Sequence, residues 1–171
     1  MKYYIGQGIK MWGVYVLFAV LSTILMTLFT FAVTSELGTN IYSLVTSVWF
    51  LSKIYSISWE NGKKDSRKVP AHPYSPVNGV VFGLVSVVPS IIIMIIYQMH
   101  LNSELSRFLY NLYLSAFIGF VDGFSTVPVY ASLGVYASII VTSGIGYIVG
   151  KRRFSVMETY LPKLVYKQKK D

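Results

Sequence analysis

The sequence has no cysteine, and only seven of its 171 residues are acidic. The absence of cysteine excludes disulfides, thiol catalysis and cysteine-ligated metals. Charged residues make up only 13% of the chain and apolar residues 54%. A water-soluble domain carries about twice that share of charge, because its surface must face water. The composition therefore predicts an integral membrane protein, and the length predicts a single membrane domain over residues 1–171.

Groups that could carry chemistry are equally scarce. The two histidines, His72 and His100, lie on opposite sides of the membrane in the topology derived next, so a His–His metal site lacks its parts. No acidic residue falls deep inside an apolar segment, and no phosphate-binding Gly-rich loop with the Lys-Ser/Thr ending is present. We therefore expect neither an enzyme nor a protein with a cofactor or metal.

Four segments are long and apolar enough to cross a hydrocarbon core about 30 Å thick. They are Met11–Val33, Asn40–Ile57, Gly79–Met99 and Val129–Gly150. The first is longer than the roughly 7–15 apolar residues of a signal peptide, which favours a retained helix. The pattern predicts an all-α membrane protein with four transmembrane helices in a bundle, a loop over 58–78 and a tail over 151–171. Within the loop, the pair Asn61-Gly62 predicts a turn.

The positions of the basic residues predict the orientation. Lys2 and Lys10 precede the first span, and the loop and the tail carry most of the others, whereas Arg107 is isolated between the third span and Phe108. With both ends inside, every basic residue except Arg107 is cytoplasmic, as the positive-inside rule requires. We expect a multi-pass membrane protein with both termini in the cytoplasm.

A fifth apolar stretch, Phe108–Val121, is too short to cross the membrane. If it did cross, the basic cluster at Lys151 would lie outside the cell, against the positive-inside rule. We expect a re-entrant or interfacial segment on the outer side. Spanning, re-entrant and interfacial placements of 108–121 are not separated further by the sequence.

Small residues recur at helical spacing on two spans, which lets another backbone approach closely in lipid. The positions are Gly79, Gly83 and Ser86 on the third span and Gly134, Ser138, Thr142, Gly146 and Gly150 on the last. We expect these residues to form helix-packing faces. Packing within one bundle and pairing of two copies both fit the pattern.

Two further groups are candidate sites. Lys63, Lys64, Arg67 and Lys68 form a basic cluster suited to anionic lipid headgroups or an acidic partner segment. Lys53 and Asp122 are candidate polar positions: Lys53 lies near one end of a span, where it can extend to the interface or pair with Glu60. Asp122 precedes Gly123, and either a turn residue or an exposed anion at a polar crevice fits it.

Two sequence patterns carry a resemblance. The loop pattern is Trp59-x-x-Gly62-x-x-Asp65-x-x-x-Val69 followed by Tyr74 and Gly79-x-x-x-Gly83, and the second pattern is Gly144-Ile145-Gly146-Tyr147-Ile148-Val149-Gly150-Lys151 with Leu164-Val165-Tyr166-Lys167 beyond it. The chain resembles uncharacterised four-span membrane proteins of Gram-positive, clostridium-like bacteria. In that group Arg-Asn tends to follow the aspartate, where this chain has Ser66-Arg67. The resemblance implies a bacterial cytoplasmic membrane. No activity is attached to the group, so the resemblance assigns no functional residue.

Two functional interpretations remain. The first is a small scaffold, accessory or regulatory subunit that acts through helix packing and a basic cytoplasmic loop. The alternative is a component of an oligomeric transporter or channel. The expected partners are the lipid bilayer, with anionic headgroups, and either another membrane protein or a second copy of the chain. We expect no nucleic-acid binding, because no base-stacking or groove-reading element accompanies the basic clusters.

Overall fold

The computed structural model of the chain describes residues 2–28, 35–66, 75–99, 104–120 and 128–152. Within these ranges the regular structure is helical and contains no strand. The α-helices are α1 (Lys2–Leu28), α2 (Glu36–Asp65), α3 (Val77–Met99), α4 (Glu104–Leu114) and α5 (Pro128–Lys151). A 3-10 turn, Ser115–Phe117, continues directly from α4.

Three of these helices are long and apolar enough to cross a membrane. They are Tyr3–Leu28 within α1, Val77–Met99, which is α3, and Tyr130–Lys151 within α5. α2 has 30 residues but is less apolar, because serine, threonine and charged side chains occupy much of its length. The expectation of an all-helical membrane protein is confirmed in these terms, with three rather than four helices that meet the length and composition of a span.

The helix boundaries differ from the expected ones at the end of the bundle where α1 begins and α2 ends. α1 starts at Lys2, well before Met11, and α2 continues through Asn61-Gly62 to Asp65. The interpretation of Asn61-Gly62 as a turn is therefore wrong. Gly62 is needed here for a close helix contact, described below, and helical packing overrides the local turn preference.

α5 lies at the centre of the bundle. It packs along its length against α2 and α3, while α1 packs mainly on α3. Helix α5 begins at Pro128, a residue suited to a first turn because it has no N–H to satisfy. α3 continues through Pro89, and the Tyr136 hydroxyl of α5 donates to the Ser90 carbonyl next to it, at 3.2 Å.

The last residues of α4 and the chain that follows them lie between α1 and α2. We call residues 113–120 the inserted segment. Its Ser115–Phe117 turn contacts both helices, which have few direct contacts with each other. The Ser43 hydroxyl on α2 accepts from the Gly119 N–H at 2.6 Å, and the Tyr15 hydroxyl on α1 donates to the Tyr113 carbonyl at 3.1 Å. Hydroxyl groups of α1 and α2 thus hydrogen-bond to the helical backbone of the inserted segment.

Aromatic rings fill the space where α1, α2 and the inserted segment meet. The ring centroid of Phe50 lies 5.2 Å from that of Tyr15 and 5.7 Å from that of Phe117. Tyr15 and Tyr113 meet edge to face at 5.3 Å. Such pairs add to the burial of their large apolar surfaces. This core holds the inserted segment in place and closes the interior of the bundle at this level.

Candidate functional site: the Asp65 cluster and the adjoining basic surface

Helices α2 and α5 touch backbone to backbone near the ends that carry Asp65 and Lys151. A Cβ atom on Gly62 would lie 2.1 Å from the Tyr147 carbonyl oxygen, and one on Gly150 would lie 2.1 Å from the Trp59 carbonyl oxygen. Real Cβ atoms do not approach this closely, so each helix requires glycine where it meets the other. Close approach of this kind is how helices gain packing energy in lipid.

The same face of α5 continues one turn earlier. A Cβ atom on Gly146 would lie 2.7 Å from the Tyr55 carbonyl oxygen of α2. The buried Ser143 hydroxyl lies 3.0 Å from the Ser58 hydroxyl and 2.6 Å from the Gly79 carbonyl oxygen of α3. Ser143 therefore connects α5 to both of its neighbours through buried hydrogen bonds.

The small residues of α3 also face α5. A Cβ atom on Gly79 would lie 2.4 Å from the Cβ atom of Tyr147, and one on Gly83 would lie 2.8 Å from the Cα atom of Ile140. Ser86 is fully buried, and its hydroxyl donates to the Gly83 carbonyl at 2.7 Å. These residues lie in a helix contact within one chain.

The row of small residues on α5 begins at Gly134 in surroundings that differ from those of Gly146 and Gly150. Gly134 is exposed, and a Cβ atom there would meet nothing within 4 Å. Ser138 and Thr142 are half-buried. A position repeated every fourth residue moves about 40° around a helix per step, hence about 160° from Gly134 to Gly150. The row therefore runs from a free surface at Gly134 to the α2 contact at Gly150.

Asp65, at the end of α2, is the centre of a polar cluster. Its side chain is buried, with 3% of the residue exposed. The Tyr3 hydroxyl of α1 donates to Oδ1 at 3.1 Å, and the Tyr147 hydroxyl of α5 donates to Oδ2 at 2.8 Å. The Asn78 side-chain amide of α3 donates to the Tyr147 hydroxyl at 3.1 Å. One carboxylate thus connects all four long helices at this end.

The electrostatic environment of Asp65 is unusual for a buried carboxylate. Within the described ranges no lysine or arginine nitrogen lies at ion-pair distance from it. The proton of Tyr147 points to Asp65 while Asn78 donates to the Tyr147 oxygen, so the carboxylate is supported by neutral donors. A buried charge needs hydrogen bonds or a counter-ion, and here tyrosines supply the bonds.

Basic side chains surround this cluster on the surface. The Lys63 ammonium lies 4.8 Å from the ring centroid of Trp59, a cation–π contact. The Lys64 ammonium lies 2.8 Å from the Glu60 carboxylate one turn earlier, and this hydrogen bond lowers the pKa of Glu60. Lys151 is exposed at the end of α5, beside the Gly150 contact with α2. We call Lys63, Lys64, Lys151 and Arg152 the basic surface.

The remaining sequence candidates lie elsewhere. Lys53 is exposed on α2, and Glu60 pairs with Lys64 rather than with Lys53. Arg67, Lys68 and Asp122 lie outside the described residues. No group of three metal-binding side chains occurs in the parts of the chain that the structure describes.

The sequence did not identify Asp65 as a site residue. It appeared only as one member of the pattern Trp59-x-x-Gly62-x-x-Asp65. Residues three apart lie on one side of a helix, so this spacing was a usable signal. A turn at Gly62, which the pair Asn61-Gly62 predicts, would place Trp59 and Asp65 on different elements and hide the significance of this spacing. The structure also brings this pattern against Tyr147 and Gly150 of the second pattern.

A cleft lies between α2, α5 and the inserted segment, away from the Asp65 cluster. Its volume is about 400 Å³. It is lined by Ser47, Leu51, Phe117, Phe120, Ala131, Gly134, Val135 and Ser138. The hydroxyl groups of Ser47 and Ser138 donate to carbonyls of their own helices, at 3.1 Å and 2.7 Å. The cleft therefore presents a mainly apolar surface without a free hydroxyl donor.

Comparisons with protein-family models, with curated proteins and with solved structures give no match to this chain, so its function has to be argued from its own residues.

Proposed function

We propose that this chain is a small scaffold, accessory or regulatory subunit of a membrane assembly, and that it acts through helix packing and a basic cytoplasmic surface. The observation that supports this most is the connection of four long helices through the buried Asp65 carboxylate, which comes directly after Lys63 and Lys64 on α2. A rigid support fixes the spacing of these charges. Such a surface fits anionic headgroups or an acidic partner segment better than a mobile loop would.

The proposal includes four membrane spans. α2 has 30 residues, which corresponds to a length of about 45 Å, more than the hydrocarbon core requires. One face of α2 is apolar and exposed at positions such as Ile41, Leu44, Val45 and Val48, as a lipid-facing surface would be. Its hydroxyls bond within the protein: Thr46, for example, lies 2.8 Å from the Ala116 carbonyl. In this topology residues 108–120 are a re-entrant segment.

The proposed orientation places the basic surface and both termini in the cytoplasm, in a bacterial cytoplasmic membrane. Lys2, Lys63, Lys64 and Lys151 all belong to the same end of the bundle, because α1 begins there and α2 and α5 end there. Arg107, on α4, is the exposed basic residue beyond the other end of α3. This asymmetry follows the positive-inside rule.

A pull-down from native membranes in mild detergent tests the accessory role. The variant replaces Lys63, Lys64, Lys151 and Arg152 with glutamine, and Arg107→Gln is the matched control, because Arg107 is also exposed. We expect wild type and the control to recover the same defined membrane protein in fixed stoichiometry, and the quadruple variant to lose it. Equal recovery by the quadruple variant contradicts a role for the basic surface. Recovery of the chain alone contradicts the accessory role.

The alternative, a component of an oligomeric transporter or channel, is favoured by one observation. The inserted segment is a short helical stretch that changes to a 3-10 turn at Ser115–Phe117, which fits the discontinuous helices of transporters, and its Gly119 N–H donates to a side chain of α2. Ion or solute flux into liposomes that contain the purified chain tests this. Flux that depends on Ser43 would favour this alternative over the accessory role.

A further inference from the structure

The cleft between α2, α5 and the inserted segment is not used by the proposed function. It lies beside residues 131–138 of α5, within a helix long and apolar enough to cross a membrane. If α5 crosses the membrane, the cleft lies at membrane depth, whether or not α2 crosses as well. We propose that this cleft is a binding site for one acyl chain of a membrane phospholipid.

The lining matches the chemistry of an acyl chain. Two serines line the cleft, and both hydroxyls donate to carbonyls of their own helices. The other lining residues are apolar or glycine. A ligand with polar groups would have to bury them here without new partners, which costs free energy, whereas a hydrocarbon chain has none to satisfy.

The shape of the cleft also matches. Its α5 wall runs from Ala131 through Gly134 to Ser138, a distance of about 10 Å along the helix axis. The α2 wall is formed by Ser47 and Leu51, one turn apart. An elongated cleft parallel to the helix axes accepts a chain that is parallel to them, as phospholipid chains are. The volume of about 400 Å³ lies within the range of small-ligand sites, about 300–1,000 Å³.

Gly134 gives the acyl chain its space. A Cβ atom at Gly146, Gly150 or Gly79 would collide with a neighbouring helix, but one at Gly134 would meet nothing within 4 Å. Gly134 therefore serves no contact with another helix among the residues that the structure describes. The neighbouring Leu133 and Val48 are exposed, so the cleft opens onto an apolar surface that lipid covers.

A second copy of the chain fits the cleft less well. A stable interface between proteins uses roughly 20–30 residues on each side. The cleft offers eight lining residues, Phe117 and Phe120 among them. That area suits an acyl chain and is too small to hold a dimer together.

Photo-crosslinking tests the proposal. The full chain is reconstituted in phosphatidylcholine vesicles that contain a phospholipid with a diazirine near the middle of one acyl chain, and the adducts are located by mass spectrometry. Gly134→Leu fills the cleft. Gly13→Leu is the matched control, because a Cβ atom at Gly13 also meets nothing within 4 Å and Gly13 does not line the cleft.

We expect adducts on Phe117, Phe120 or Val135 in wild type and in the control. In Gly134→Leu we expect most of these adducts to be lost, because the leucine side chain occupies the space that the acyl chain would fill. Ala131→Leu fills the same cleft from another position and keeps the test valid if Gly134→Leu does not fold.

Two kinds of result overturn the proposal. The first concerns labelling: either Gly134→Leu and Ala131→Leu label the cleft residues as strongly as wild type does, or wild type labels them no more strongly than it labels the lipid-exposed Leu17. The second is a wild-type dimer that Gly134→Leu converts to monomer, which would assign the cleft to a second copy. Neither outcome depends on the pull-down, so the accessory role and the lipid site fail separately.

Discussion

The Tyr147 hydroxyl donates a 2.8 Å hydrogen bond to the carboxylate of Asp65, a residue 82 positions earlier in the chain. Both groups are buried, and Tyr147 also lies against Gly62 through its carbonyl and against Gly79 through its Cβ atom. One residue of α5 therefore contributes to the polar cluster and to two helix contacts. The stability of this end of the bundle depends on the acceptor that Asp65 provides.

Replacing Asp65 tests that dependence. Asp65→Ala removes the acceptor of the buried Tyr147 hydroxyl and of the partly buried Tyr3 hydroxyl, and a hydrogen bond to a charged group contributes about 1.5–3 kcal/mol. Asp65→Asn keeps one acceptor oxygen and should lose less. We expect melting temperatures in detergent in the order wild type, Asn, Ala.

Glu60→Ala is the control for these variants, because Glu60 is an exposed carboxylate on the same helix. Its removal should change stability by no more than about 0.5 kcal/mol. If Asp65→Ala melts at the same temperature as Glu60→Ala, the tyrosine hydroxyls have other acceptors and the cluster has no structural role.

The glycine contacts predict opposite effects for the same substitution at two positions. Gly150→Ala places a Cβ atom 2.1 Å from the Trp59 carbonyl oxygen, so the helices must separate and the protein should melt at a lower temperature. Gly146→Leu or Gly146→Ile should act likewise and disturb any oligomer that depends on this face. Gly13→Ala meets nothing within 4 Å, and its better helix propensity should stabilise α1 by up to about 1 kcal/mol. Equal melting curves for Gly150→Ala and Gly13→Ala would contradict the backbone contact.

The attachment of the inserted segment can be tested on α2. Ser43→Ala leaves the buried Gly119 N–H without its acceptor, at a cost of about 1–3 kcal/mol. Ser52→Ala is the control, because the Ser52 hydroxyl is exposed and donates only to the Val48 carbonyl of its own helix. We expect faster protease cleavage after Arg107 in Ser43→Ala. Unchanged cleavage relative to Ser52→Ala would show that packing alone holds the segment.

Reporter fusions test the topology. With four spans, fusions at Lys64 and after Asp171 should both report the cytoplasm, and a fusion at Arg107 should report the outer side. If α2 does not cross, Lys64 and Asp171 still share one side of the membrane, because α3 and α5 lie between them, but that side is opposite to the N-terminus. A signal from the outer side at either of those two positions defeats the four-span topology.

Properties that belong to a single helix were predictable from the sequence. α3 is expected at Gly79–Met99 and occurs at Val77–Met99, since a long apolar run allows little else. Local signals failed where a distant residue decides the structure. The Asn61-Gly62 pair favours a turn in isolation, but Gly62 lies against Tyr147 in a helix contact. The role of Asp65 depends on α1 and α5, which its own neighbours in the sequence do not encode.

The row of small residues on α5 shows the same limit. The four-residue spacing identifies the small residues on α5, but it does not predict which helix or ligand lies beside each of them. Gly150 meets a helix and Gly134 meets none, because their positions differ by about 160° around the axis. The positions of α2 and of the inserted segment in the fold determine that Gly150 contacts a helix and that Gly134 lines the cleft.

Helices α2 and α5 form a V. Its vertex is at Gly62 and Gly150, where the two backbones touch, and its arms diverge toward Ser47 and Gly134, where the cleft lies between them. A side chain can therefore be enlarged at Gly134 without meeting another backbone, whereas at Gly62 or Gly150 even one added methyl group would meet the carbonyl of the other helix.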